Sequence, residues 1–126
     1  MVLSSTASSL FRERVENYYR FADAQDFDSL CALFDDKVLY QRCERLIRGV
    51  EELRKFYKDE RKLTGRHTLE SLFEDGDKII VKGTYEGKKH SGEPVHLSFI
   101  DYFISDQKGK IIQRQTYLAQ GYQLTK

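Results

Sequence analysis

The sequence predicts an α+β domain in which three N-terminal helices pack on one face of a curved antiparallel sheet. Three observations carry this reading. Apolar residues in the first half recur at helical spacing, the period changes to two from Arg66 onward, and the two signals are segregated along the chain rather than alternating. The chain has 126 residues, 40% of them apolar, which is enough for one compact core and too few for a second domain. Residues 1–126 are therefore read as a single domain, with disorder expected over 1–7.

Phe11, Val15, Tyr18 and Ala22 keep one stripe facing a core while Arg12, Arg14, Glu16 and Arg20 occupy other faces, which predicts a helix from about Ser8 to Ala24. The Asp26 side chain can accept from the free amides of a first turn, capping a short second helix through Phe27, Leu30, Leu33 and Phe34 that ends near Asp35. Val38, Leu39 and Tyr40 mark Lys37 to Cys43 as a short strand. Gly49 precedes a third helix, Val50 to about Leu63, with Leu53, Phe56 and Tyr57 at helical spacing. Glu51 and Glu52 lie in its first turn, where the helix dipole favours them. Turn signals at Asp75-Gly76-Asp77, Ser91-Gly92 and Gln107-Lys108-Gly109 divide the remainder into strands over about 66–74, 78–89, 93–105 and 109–119. In the second of these Ile79, Val81, Gly83 and Tyr85 alternate with Lys78, Lys82, Thr84 and Glu86, one face dry and one wet.

Lys and Arg number 21 against 20 Asp and Glu, a formal charge of +1, so nucleic acid and anionic membrane surfaces are not expected partners. The chain has no apolar run of about 18 residues and no basic segment leading into one, and a soluble, cytoplasmic protein is expected. Cys31 and Cys43 have neither a disulfide-framework nor a metal-ligand spacing and are expected to be reduced. His67, His90 and His96 show no HxH or HxxxH pattern, so no metal is expected. The absence of a Walker A loop, a GxGxxG or a GxSxG motif leaves no expected cofactor and no serine nucleophile.

The most informative stretch is Val95 to Phe103. Its odd positions are Val95, Leu97, Phe99, Asp101 and Phe103, so alternation sets a carboxylate inside an apolar row. There it serves as a desolvated acid that donates to a ligand oxygen, unless a bulge turns it to solvent or backbone amides satisfy it. Tyr18 is on the buried stripe of the first helix, and its hydroxyl seeks a partner: Asp101, a ligand or a carbonyl. His67 shares a strand face with Leu69 and Phe73, as a core residue or as a base, since an imidazole takes and gives a proton near neutral pH. Tyr85 and Phe99, on the inward faces of their strands, are candidate ligand contacts.

The order helix, short helix ending in Phe34-Asp35-Asp36, strand, helix carrying Arg48-Gly49-Val50-Glu51-Glu52-Leu53, then four long strands with Gly109-Lys110-Ile111-Ile112 resembles the nuclear transport factor two-like superfamily. In particular it resembles the SnoaL-like and ketosteroid isomerase-like branch, over about residues 11–119. The resemblance implies a cystatin-like cone around a deep apolar pocket and a homodimer closed through the outer sheet face, where Ser98, Ile100, Tyr102 and Ile104 form a strip. It implies a small cofactor-free isomerase, cyclase or dehydratase acting on a small apolar carbonyl compound. Tyr18 and Asp101 match the oxyanion-hole tyrosine and aspartic acid of that branch; the proton-transfer base falls at Gln41, whose amide takes no proton at neutral pH and is a candidate ligand contact instead, and His67 is the candidate base in its place. A protein that holds a small hydrophobic ligand without chemistry is the alternative.

Overall fold

In the computed structural model, which describes residues 2–119, three helices pack against one six-stranded sheet. The elements run α1 (Ser5–Ala24), α2 (Phe27–Cys31), β1 (Phe34–Arg42), β2 (Arg45–Arg48) and α3 (Val50–Lys55), which continues as a π-helical turn over Phe56–Glu60. Strands β3 (Leu63–Asp75), β4 (Lys78–Lys89), β5 (Pro94–Ser105) and β6 (Ile111–Ala119) complete the chain order. The segregated order read from the sequence is observed with one strand added, β2 between β1 and α3. Among the described residues no helix is long and apolar enough to cross a membrane.

The sheet order is β2-β1-β6-β5-β4-β3. Four of its five neighbouring pairs are antiparallel, and the pair β1–β6 is parallel, which corrects the purely antiparallel expectation. Parallel neighbours need a long return connection, and here the whole of β2 to β5 supplies it. Hairpin signals in the sequence report only sequential neighbours, so this pairing left no local mark. Its consequence is chemical: the register sets Tyr40 beside Arg114 and Arg42 beside Thr116.

The predicted stripe of α1 is the centre of the core, with Phe11, Val15, Tyr18 and Ala22 all buried and Tyr19 beside them. The helix begins earlier than the spacing predicts. The Ser4 side chain accepts from the amide of Ala7 at 3.1 Å, and Ala7 is buried, so residues 5–7 form a capped first turn where disorder was expected. Met1, within that same expectation, lies outside the described residues. Asp26 caps α2 by accepting from the Ser29 amide at 3.3 Å. That helix stops at Cys31, short of Asp35, because Phe34 already begins β1 and its side chain is buried in the core.

The third helix also departs from expectation. Instead of reaching Leu63 it widens at Phe56, and the amide of Arg61 donates to the Phe56 carbonyl at 2.7 Å across the last, wide turn. Phe56 and Tyr57, the first two residues of this turn, are both buried. In β3 the register shifts between Leu69 and Ser71. The extra residue turns the rest of the strand over, so Phe73 is exposed on the outer side and does not share the inner face with His67.

Candidate functional site

The β5 alternation places Val95, Leu97, Phe99, Asp101 and Phe103 inward, all buried. Asp101 is 1% exposed and sits among donors. Tyr19 donates its hydroxyl to Oδ2 at 2.5 Å, Thr116 donates to Oδ1 at 2.5 Å, and Arg114 Nη2 reaches Oδ1 at 3.1 Å and Oδ2 at 3.0 Å. The structure thus holds Asp101 as an acceptor, where the sequence pointed to a proton donor.

Arg114 explains the difference. It enters from β6, itself buried, and its guanidinium lies 4.1 Å from the Tyr18 ring centroid and 4.5 Å from that of Tyr40. A buried carboxylate is costly alone and tolerable when paired and hydrogen-bonded. Arg114 Nη1 also donates to the Tyr57 hydroxyl at 3.0 Å, and that hydroxyl shares a short hydrogen bond with Tyr18. Tyr18 therefore meets Tyr57 instead of Asp101, and the tyrosine on Asp101 is its neighbour Tyr19. The Tyr40 hydroxyl joins through Thr116 Oγ1 at 3.1 Å.

Burial pushes the Tyr18, Tyr19 and Tyr40 hydroxyls above the ordinary tyrosine value, Tyr40 to about 12. The Arg114 charge pulls each of them partly back, while the Asp101 charge adds to the rise at Tyr19. For Arg114 burial works against the charged form, but Asp101 and the surrounding tyrosines outweigh it and raise its pKa further.

His67 of β3 lines the same cavity. Its Nδ1 lies 2.5 Å from Asp23 Oδ1, and its backbone amide donates to Asp23 Oδ2 at 3.0 Å. One carboxylate at the end of α1 thus fixes both the strand and the ring. The imidazole packs against Tyr85, Tyr19 and Phe99 at centroid distances of 4.7, 5.1 and 5.4 Å. Phe99 fits there because Gly83 lies opposite it: a Cβ at Gly83 would stand 2.8 Å from Phe99 Cζ.

Tyr18, His67, Tyr85, Phe99 and Asp101 all line one internal cavity, together with Arg114, Tyr57, Tyr40 and Arg61. The sixth predicted residue does not join them. Gln41 bonds the carbonyls of Cys43 and Arg45 at 2.8 and 3.3 Å at the β1–β2 turn, and its neighbours Tyr40 and Arg42 line the cavity instead. Val38 and Tyr40 are buried and Gln41 alternates with them, so strand alternation alone turns it from the cavity. The cavity is also smaller and more polar than the deep apolar pocket expected, with a volume of about 40 Å³. That is room for roughly two or three waters, because Arg114 and the tyrosine rings fill the cone.

Sequence reasoning missed Asp23, Tyr19, Tyr57, Arg61 and Thr116, and left Arg114 open because its inward or outward face hangs on strand register. Tyr57 carried a signal, a tyrosine at helical spacing toward the core, and Arg114 with Thr116 alternate on one strand. Nothing in the order of residues pairs Asp23 with His67.

A family model described as a SnoaL-like domain matches residues 15–114. The chain belongs to this SnoaL-like family. Among solved structures, the SnoaL-like domain is similar to a candidate isomerase from Bacillus subtilis at TM-score 0.80 and 16% identity, covering 90% of this chain and 88% of that one. It is similar to an LEH-like epoxide hydrolase of M.tuberculosis at TM-score 0.79 and 18% identity, covering 89% and 84%. A candidate SnoaL-like polyketide cyclase from Jannaschia sp. CCS1 aligns at TM-score 0.78 and 16% identity, covering 91% and 89%. No curated protein matches the chain. At such identities the likeness establishes the shared cone fold of the SnoaL-like domain, and its chemistry rests on its own residues.

Proposed function

We propose that this SnoaL-like domain is an acid–base enzyme that moves a proton next to the carbonyl of a small apolar compound. The observation that carries the reading is the 2.5 Å contact between His67 Nδ1 and Asp23, with the ring in the cavity wall. Asp23 holds the proton on Nδ1, which leaves Nε2 as the base. A proton leaves the carbon beside the carbonyl to Nε2, and the developing oxyanion faces the Tyr18, Tyr57 and Arg114 floor. Preorganised donors there cost no reorganisation as charge develops. Asp101 acts through Arg114, as a positioning residue. The isomerase and polyketide cyclase named among the structural neighbours fit such chemistry.

The test is α-deuteration of small ketones such as acetone and butanone, which suit the cavity's volume of about 40 Å³, in D2O, read by proton NMR. The wild type accelerates exchange, and His67→Gln returns it to the uncatalysed rate while its melting curve shows it folded. Undiminished exchange in His67→Gln removes the proposal. A ketone that binds the wild type without exchanging favours the ligand-holding alternative.

Self-association through the outer sheet face is a second proposal, supported by the exposure of Phe73 (64%), Ile80 (42%), Ile100 (43%) and Tyr117 (60%) around one shallow depression. Sedimentation at micromolar concentration should show a dimer that Ile100→Lys converts to monomer; a monomeric wild type refutes it.

A further inference from the structure

We infer that the cavity entrance is a carboxylate subsite built by Arg61 and Arg42, so that the carbonyl compound the site takes also carries a carboxylate. The inference rests on the reading of the cavity as the ligand site, and not on the chemistry assigned to His67.

The cavity lining holds three arginines, Arg42, Arg61 and Arg114, against one acid, Asp101. Asp101 is taken by Arg114. Among the described residues no carboxylate lies within ion-pair distance of Arg42 or Arg61; the nearby Glu60 is held instead by both Nη atoms of Arg45, at 2.7 and 3.1 Å. Two cations therefore face the cavity without a counter-charge, where the surrounding protein screens them less than water does.

Arg61 is fixed in place for this task. Its guanidinium carbon lies 5.6 Å from the ring centroids of both Tyr57 and Tyr85, a cation–π arrangement with two rings. Its backbone closes the π-helical turn on Phe56, so the same irregular turn that buries Tyr57 delivers Arg61 to the cavity edge. Its Nη1 is buried and meets no protein acceptor. A buried donor left unpaired costs free energy comparable to a lost hydrogen bond, and such groups mark ligand positions when they border a cavity. Arg42 packs its guanidinium 5.4 Å from the Phe56 centroid on the same edge. Two surface clefts of about 370 and 180 Å³ share Arg61 and Leu63 with the cavity, and Lys62, Lys89 and His90 border both. This side of the molecule thus draws an anion inward, and Leu63, Leu97, Leu118 and Phe99 offer the apolar surface beyond it. A planar carboxylate matches the guanidinium fork, which an ammonium or a neutral carbonyl matches less well.

The test uses the full chain and three isosteric pairs, acetate with acetamide, propionate with propionamide, and isobutyrate with isobutyramide, titrated by protein NMR. The expected result is that at least one carboxylate binds about tenfold or more tightly than its amide, and that Arg61→Gln abolishes the preference while Arg61→Lys restores part of it. Melting curves establish that the variants are folded. Equal binding within every pair, no binding of any carboxylate, or a preference that survives Arg61→Gln overturns the inference. The two readings fail separately: a carboxylate preference that Arg61→Gln removes, in a protein that catalyses no ketone exchange, overturns only the chemistry assigned to His67, and ketone exchange without any carboxylate preference overturns only the subsite.

Discussion

Arg114 and Asp101 form a closed ion pair in the middle of the cone, with Nη2 of the arginine 3.1 and 3.0 Å from the two carboxylate oxygens and side-chain exposures of 4% and 1%. They come from adjacent strands, β6 and β5, whose register sets Asp101 opposite Thr116 and Phe103 opposite Arg114. The pair replaces the isolated acid that the apolar row of β5 implied.

Removing one partner leaves the other charge buried and uncompensated. Arg114→Met should destabilise the fold by about 3–5 kcal/mol, whereas Arg114→Met with Asp101→Leu should recover much of that loss, since an apolar pair of similar volume is often tolerated. Urea unfolding of the three proteins measures both. Equal stability of Arg114→Met and wild type would contradict the pairing.

The two tyrosines that share a hydroxyl contact should differ in cost. Tyr57→Phe deprives Arg114 Nη1 of its acceptor as well as Tyr18 of its partner, a loss of about 1–3 kcal/mol for the buried donor alone. Tyr18→Phe leaves the Tyr57 hydroxyl accepting from Arg114. Thermal melts should therefore rank Tyr57→Phe below Tyr18→Phe.

Alkaline pH should unfold the domain through its buried phenols. The folded pKa of Tyr40 is raised to about 12 by burial, against an ordinary value near 10. The unfolded chain then releases this proton first. The stabilisation is present in full below about pH 10 and is lost as pH rises toward 12, at about 1.4 kcal/mol per unit of separation. Tyr18 and Tyr19 shift in the same direction. Phenolate absorbance, followed from neutral to alkaline pH, should show these hydroxyls ionising only with unfolding, and Tyr40→Phe should flatten the decline.

Gly83 is required by close approach. An added Cβ would overlap the Thr68 carbonyl oxygen and stand 2.8 Å from Phe99 Cζ. Gly83→Ala should cost about 1–3 kcal/mol and displace the Phe99 ring that packs on His67, which the His67 ring NMR shifts report directly.

The family resemblance, the order of elements and the inward rows of β4 and β5 were legible from the residues, because hydrophobic periodicity is a local property and each strand carries its own. Ile79, Val81 and Tyr85, and Phe99, Asp101 and Phe103, face the core as alternation requires. Where one residue shifts the register the same reasoning inverts, and this is how Phe73 reached the outer face; Gln41, placed by the resemblance, lies outside the cavity as alternation with the buried Val38 and Tyr40 requires. The helix stripe likewise placed Tyr18 inside without saying which hydroxyl it would meet.

Local periods along the chain were sufficient for the α+β class and for inward faces carrying Tyr18, His67, Tyr85, Phe99 and Asp101, since helical and strand periods encode burial residue by residue; the cone came from the family resemblance. The chemistry of that interior came from tertiary contacts alone. The parallel β1–β6 contact brings Tyr40 beside Arg114, the π-helical turn delivers Tyr57 and Arg61, and α1 carries Asp23 to His67 across 44 residues of chain. Pairings between residues so far apart depend on how elements dock, and docking is set by the packing of the whole core rather than by any segment of it.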